Sequence, residues 1–345
     1  MNAPVEGRGR HSSLTPPLGL SYVAAVLIRA GYDVSALDLC LNGFDKHGLR
    51  CMLEKGRPRV LGISALTQTY LNALEIARIA KEVDRETVVV IGGPHVTVLY
   101  EQALSEKSVD VVVRGEGEYT MLELANHYLN GLGSLSRIRG IAFRDEGATK
   151  VTRDRPLACL DQLPYPARGL FPLPLYAFPS SVLFSRGGYP LTCVACATDG
   201  MLKLDRRFRD PQRVVEEIIF LLERQQAEEI VFADDSFTLD RRRVLALCHF
   251  LTRLAPTFQW QCATRIDLVD DELLEKMRKA GCHSIRYEVE VGGQGKRYSV
   301  ARKITLKQAN EAFRATIDAG IDATFSSVSD AGDVGETVCD HMPSI

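Results

Sequence analysis

Thr87-Val88-Val89-Val90-Ile91 is a run of nearly pure β-branched character that opens directly into Gly92-Gly93-Pro94. A short unbroken apolar run has no polar face to offer water, so it reads as a strand buried on both sides. Working outward, Tyr70 to Val83 has the spacing of an amphipathic helix, and Val60 to Ala65 is a second apolar strand. Asp33 to Leu39 reads as a further strand, and Leu18 to Ala30 as a helix closed by Gly31, a favoured residue just past a helix end. On the other side, Val109 to Val113 and Glu118 to Leu129 repeat the strand-then-helix pattern. Buried strands alternating with helices specify a doubly wound α/β domain with a Rossmann-like parallel sheet.

The whole chain of 345 residues is long for one core, since single cores rarely grow beyond about 250–300 residues. Its composition, 46% hydrophobic and 25% charged, is ordinary for a globular protein and excludes a disordered, collagenous or disulfide-scaffold chain. A net charge of -2 argues against a nucleic-acid partner, whose binding would draw on Lys and Arg meeting phosphates. The apolar runs fall short of the ~20 residues that span a bilayer. No apolar core resembling a secretory signal opens the chain, so no membrane partner and a cytoplasmic location are expected. The nine cysteines then read as thiols or metal ligands rather than a disulfide framework.

Seven of the 15 prolines fall between Pro156 and Pro190, which marks an extended connector. The expected division is a polar tail over 1–15, a first domain over 16–150, a proline-rich linker over 151–180 and a second domain over 181–345. In the second domain the strands are Ser181 to Phe184, Glu229 to Ala233, Phe258 to Ala263, His283 to Glu290 and Ile321 to Phe325. Between them lie a helix opened by Asp210-Pro211, helices over Arg241 to Arg253 and Asp270 to Ala280, and one capped by Thr305 with Gln308. Five such units make most of an open β/α barrel, whose chemistry lies at the C-terminal strand ends.

The first strand of that barrel runs into Ser185-Arg186-Gly187-Gly188-Tyr189-Pro190-Leu191-Thr192-Cys193-Val194-Ala195-Cys196. Two thiolates three residues apart on a Gly/Pro-rich loop can ligate one metal centre or cluster. Zinc would need a second pair, and none stands at suitable spacing. This loop resembles that of the cobalamin-dependent (class B) radical S-adenosylmethionine (SAM) methyltransferases, in which Cys-x3-Cys-x2-Cys holds a [4Fe-4S] cluster that binds SAM. By that resemblance Cys193 and Cys196 are the second and third ligands, and Tyr189 stands where the first cysteine is expected. The departure leaves two thiolate anchors and puts cluster formation in question.

The resemblance extends along the chain. Phe232-Ala233-Asp234-Asp235-Ser236-Phe237 is similar to the family's strand-end Asp-Asp-x-Phe, though paired aspartates after a strand also serve as simple caps. Arg265 after the next strand is a plausible partner for the SAM carboxylate, with a surface salt bridge as the plain alternative. Tyr287-Glu288-Val289-Glu290-Val291-Gly292 resembles the family's Gly-Val-Glu-Ser-Gly, which makes Glu290 a SAM contact and leaves Glu288 and Val291 as departures. Asp234, Arg265 and Glu290 are thus the expected SAM-binding residues.

The first domain resembles the family's cobalamin-binding domain, from Pro17-Leu18-Gly19-Leu20 onward. The loops expected to hold the corrin contribute Ser64 and Thr67, then Gly92, Gly93 and His95, then Arg114, Gly115 and Glu116. Glycine lets backbone approach a flat macrocycle, and hydroxyls can bond its amide arms. The Asp-x-His-x-x-Gly signature that supplies histidine to cobalt is absent, so His95 reads as a loop residue. A generic α/β ligand domain is the alternative. The resemblance covers about residues 16–337, and both ends look truncated beside the family pattern.

The resemblance implies a cobalamin-dependent methyltransferase, with cofactors [4Fe-4S], SAM and cobalamin. In that scheme a methyl group moves from SAM, via methylcobalamin, to an unactivated carbon or phosphinate phosphorus of a small molecule in antibiotic biosynthesis. A flavodoxin- or ferredoxin-type electron donor is the implied partner. Two alternatives stand beside it: a radical SAM cyclase or rearrangement enzyme, and a non-catalytic cobalamin-binding protein without a cluster.

Overall fold

The computed structural model describes residues 1–4, 15–42, 45–187, 206–254, 258–290 and 306–328. The described residues divide into two compact units, Met1–Pro179 and the remainder from Ser180 onward.

The first unit is built on a five-stranded sheet in the order β1-β2-β3-β4-β5: β1 (Val60–Ser64), β2 (Val88–Gly92), β3 (Val111–Val113), β4 (Ile141–Asp145) and β5 (Ala148–Val151). β1, β2 and β3 pair in parallel, and Val89, Val90 and Ile91 are all buried, as a strand covered on both faces requires. The helix Tyr70–Val83 covers the sheet with Tyr70, Ala73, Leu74, Ile76, Ala77, Ile79 and Ala80, a stripe at helical spacing. The sheet is mixed: β4 and β5 run antiparallel as a hairpin. Its two-residue turn is Glu146-Gly147, both at positive φ (49° and 82°), the geometry that matches strand twist.

Two expectations change at the other edge of this sheet. Residues 33–38 form no strand; a single bridge at Asp38 is followed by the short helix Leu39–Asn42. The residues lying between Asp38 and β1 come from the chain's first segment, expected as polar tail. Asn2 bridges Asp38 on one side and Ser64 on the other, and Ala3 is fully buried. One bridging residue is too short a ladder partner to draw residues 33–38 into a strand.

The proline-rich stretch carries single turns of 3-10 helix at Leu160–Gln162, Arg168–Leu170 and Leu173–Leu175. It packs rather than dangles. Ala167 N donates to Ser21 O (3.0 Å), Phe171 and Tyr176 are buried, and the Tyr176 hydroxyl donates to Asp38 Oδ2 (2.9 Å).

The second unit is a sheet of parallel strands in the order β12-β11-β10-β9-β6: β6 (Ser181–Val182), β9 (Glu229–Phe232), β10 (Gln259–Thr264), β11 (Cys282–Glu290) and β12 (Asp322–Val328). Each strand lies beside its predecessor in the chain, and the helices Pro211–Gln225, Arg241–Leu251, Asp271–Lys279 and Leu306–Asp318 pack their buried residues against one face. That is part of a β/α barrel. The core centres on Phe184, Phe232, Phe237 and Trp260, with ring centroids 4.5–5.6 Å apart. Trp260 is fully buried, and its indole N–H donates to Ala280 O at 2.8 Å, leaving no polar atom unpaired. Among the described residues no helix is long and apolar enough to cross a membrane.

Candidate functional site

In the first unit the C-terminal ends of β1, β2 and β3 bring three loops to one edge, where open α/β sheets hold ligands. Gly93 stands at φ 110°, and a side chain there would meet Ala65 O at 2.6 Å. Glycine therefore lets the loops after β1 and β2 run backbone against backbone, with Ala65 N donating to Gly92 O at 2.8 Å. Thr97 ties in the third loop: its hydroxyl donates to Gly93 O (2.9 Å) and accepts from Gly115 N (3.1 Å). Gly115 has φ 81° with open space where a Cβ would stand.

His95 Nδ1 lies 3.2 Å from Thr67 Oγ1, and its ring sits on Tyr70 with centroids 4.2 Å apart. Burial lowers its pKa, which favours the neutral ring, and its Nε2 is covered and without a hydrogen-bond partner. Exposed apolar side chains, Leu66, Leu71, Val98 and Leu99, lie in the segments that follow β1 and β2.

The structure thus gathers Ser64, Thr67, Gly92, Gly93, His95 and Gly115 at one edge. It turns the other two nominated residues onto the chain itself. Arg114 pairs with Asp154 (3.2 Å) and lies over the Tyr100 ring, while Glu116 Oε2 accepts from Ala158 N at 3.0 Å. Sequence reasoning nominated neither Thr97 nor Tyr70. The i to i+4 spacing of Gly93 and Thr97 was the available signal for the first, and none marked the second.

This edge fits a corrin: the Gly115 backbone in open space, hydroxyls for amide arms, and exposed apolar side chains for the ring's rim. Ser64, Thr67 and the Gly92-Gly93 and Gly115 backbones are the groups that would hold it.

In the second unit, β7 (Ser185–Arg186) pairs antiparallel with β8 (Arg207–Phe208) and ties together the two ends of the segment that carries Tyr189, Cys193 and Cys196. Those three residues lie outside the described residues. Asp234, just past β9, anchors the near end. Its Oδ2 accepts from Phe184 N (2.9 Å) and its Oδ1 from Ser185 N and Ser185 Oγ (both 2.5 Å). Burial pushes its pKa up to about 6, while those donors and Arg206 pull the other way. Asp234 was expected to face SAM; here both its oxygens accept from the chain's own donors at the end of the first barrel strand. Arg265 forms a two-pronged pair with Asp267 (Nε–Oδ1 and Nη2–Oδ2, both 2.7 Å), the plain alternative for this residue. Glu290 ends β11, opposite Val328, and its side chain lies outside the described residues. At the same strand ends, Thr264 Oγ1 meets Thr238 Oγ1 (2.6 Å) and Ser236 Oγ (3.3 Å).

Comparison with known proteins gives the same two halves. The B12-binding domain family model matches residues 10–125, and the Radical SAM superfamily model residues 190–341. An uncharacterized methyltransferase of Pyrococcus horikoshii, PH0819, is 30% identical over 320 residues, covering 91% of this chain and 69% of that protein. Anaerobic magnesium-protoporphyrin IX monomethyl ester cyclase of Rubrivivax gelatinosus is 31% identical over 323 residues (89% and 57%). Cytidylyl-2-hydroxyethylphosphonate methyltransferase of Streptomyces wedmorensis is 28% identical over 333 residues (81% and 62%). Among solved structures, the radical SAM methyltransferase TsrM from Kitasatospora setae, with cobalamin and [4Fe-4S] cluster bound, superposes with a TM-score of 0.76 at 16% identity, covering 94% of this chain and 68% of that one. This likeness speaks to the fold.

A B12-binding domain followed by a radical SAM domain defines the class. The chain belongs to the cobalamin-dependent radical SAM methyltransferase family, whose cofactors are cobalamin, a [4Fe-4S] cluster and SAM. It spans between 57% and 69% of the length of the curated relatives described.

Proposed function

We propose that this protein transfers a methyl group from SAM, by way of cobalamin, to an unactivated carbon or phosphinate phosphorus of a small molecule. The setting we propose is natural-product, specifically antibiotic, biosynthesis in the cytoplasm, with electrons from a flavodoxin- or ferredoxin-type donor and no nucleic-acid partner. The observation that carries it is the match to a methyltransferase along 91% of the chain, across both domain types in order. When bound, cobalamin supplies a methyl carrier and the cluster supplies one-electron cleavage of SAM.

The chain's own residues bind and orient. Gly115 admits the corrin to backbone contact, Gly93 lets the loops after β1 and β2 meet, Thr97 locks the loops together, and Thr67 offers a hydroxyl beside His95. Asp234 fixes Phe184 and Ser185, the strand end that precedes the segment bearing the proposed ligands Cys193 and Cys196. We assign Arg265 and Glu290 to SAM, with Arg265 exchanging Asp267 for the SAM carboxylate.

The test uses the full chain, reconstituted anaerobically with iron, sulfide and hydroxocobalamin, then given SAM and titanium(III) citrate. Cobalamin-dependent formation of S-adenosylhomocysteine is expected, because it reports methyl departure from SAM without knowledge of the final acceptor. Release of 5′-deoxyadenosine with no S-adenosylhomocysteine would instead favour the cyclase reading, to which the Rubrivivax relative lends weight.

A further inference from the structure

The barrel sheet has two faces of different character. Ile285 and Tyr287 of β11 are buried in the core among helix residues, and Tyr287 reaches Thr316 of the helix Leu306–Asp318 (2.7 Å). Arg286, between Ile285 and Tyr287, therefore projects from the opposite, concave face, where it is exposed. Its register partners are Ala263 on β10 and Thr324 on β12, the latter also exposed.

Among the described residues neither Arg286 nor Thr324 has a hydrogen-bond or ion-pair partner. Among the described side chains, the carboxylates of Glu229 and Asp322 form no ion pair with Arg286. Glu229 Oε1 lies 2.6 Å from Gln261 Nε2 and 2.7 Å from His283 Nε2, at the N-terminal end of the strands. Asp322 pairs in register with Ser284, two residues toward that same end, and forms no ion pair with Arg286. Glu288, two residues further along β11, has its side chain outside the described residues.

A guanidinium in the hollow of a sheet, flanked on one side by a methyl and on the other by a free hydroxyl, is an oxyanion receptor. Adjacent strands lie about 4.8 Å apart, so one anionic group can accept from the guanidinium fork and the neighbouring hydroxyl together. We propose that Arg286, with Thr324 beside it, docks an anionic group, a carboxylate or phosphonate, of the small-molecule substrate. The inference rests on reading the barrel as the small-molecule half of a methyltransferase, and it gives that substrate a charge.

Binding of simple probes to the full chain tests it separately from turnover. Methylphosphonate and acetate, followed by ligand-observed NMR, are expected to bind in a salt-sensitive manner, and acetamide not to. Arg286→Gln should weaken methylphosphonate binding by about tenfold, Arg286→Lys less, and Thr324→Val by about threefold, the losses expected of a charge-assisted and a neutral hydrogen bond. Asp322→Asn, which removes a carboxylate two residues before Thr324 on the neighbouring strand, should tighten it. S-adenosylhomocysteine binding should be unchanged in Arg286→Gln. Anion binding indifferent to both Arg286→Gln and Thr324→Val would overturn the proposal. So would an equal loss of S-adenosylhomocysteine binding, which would assign Arg286 to the SAM carboxylate. Neither result depends on whether methyl transfer is observed.

Discussion

Asp234 is a carboxylate sealed from water and held by two backbone amides and one hydroxyl. Those donors favour the ionised form and burial opposes it, and burial wins: the pKa rises from the ordinary 3.8 to about 6. The folded state therefore binds the proton more tightly than the unfolded chain. The stability this group contributes is fully present below about pH 4 and is lost as pH rises through 6, by up to about 3 kcal/mol. Asp234→Asn cannot titrate, and its single carbonyl oxygen can serve only one of the two amides. The variant should be less stable than the parent at every pH, with a penalty larger at pH 4 than at pH 7 in urea titrations. A penalty that grows with pH would mean that the donors, not burial, set the balance.

At the scale of elements, what was legible in the sequence tracked how local the determining interaction is. The helix Tyr70–Val83 has the residues expected from its apolar spacing, because a helix face is written in neighbours three and four apart. β11 and β12 fell within a residue or a few of expectation for the same reason. The hairpin of β4 and β5 escaped, although Asp145-Glu146-Gly147-Ala148 carries a turn glycine, because its partner on one side is the distant β3. Asn2 between Asp38 and Ser64 had no local sign at all. In the candidate site, glycine positions and the salt bridge open to Arg265 were readable, yet the engagement of Asp234 and Glu116 was not, since each is set by residues brought near only by folding. Gly93 offers a test of how strictly the loops are joined. Gly93→Ala adds strain at φ 110° and a contact of 2.6 Å with Ala65 O, so it should destabilise by at least about 2 kcal/mol and weaken cobalamin binding. Gly131→Ala, at φ 67° with open space around it, has the strain alone and should cost about 1 kcal/mol. Equal effects in urea unfolding would show that the loop contact relaxes freely.

For the whole molecule the decisive fact is that the hydrophobic clusters of the two units share no residue. One is centred on β1, β2 and the helix Tyr70–Val83, and the other on Trp260 and its aromatic neighbours. A ligand that binds one folded unit stabilises it by mass action and leaves the other's own stability untouched. Hydroxocobalamin at a hundred times its Kd should therefore stabilise the unit Met1–Pro179 by about 2.7 kcal/mol, which for a unit of this size raises its Tm by roughly 5–10 °C. Calorimetry of the full chain should resolve two transitions in the absence of ligand and show only one moving when the corrin is added. The barrel transition can be recognised independently, because the one tryptophan, Trp260, is buried in that core and its emission reports it alone. If tryptophan emission shifts together with the cobalamin-sensitive transition, the two units unfold as one cooperative body, and binding at the first sheet's edge is felt as far as the barrel core.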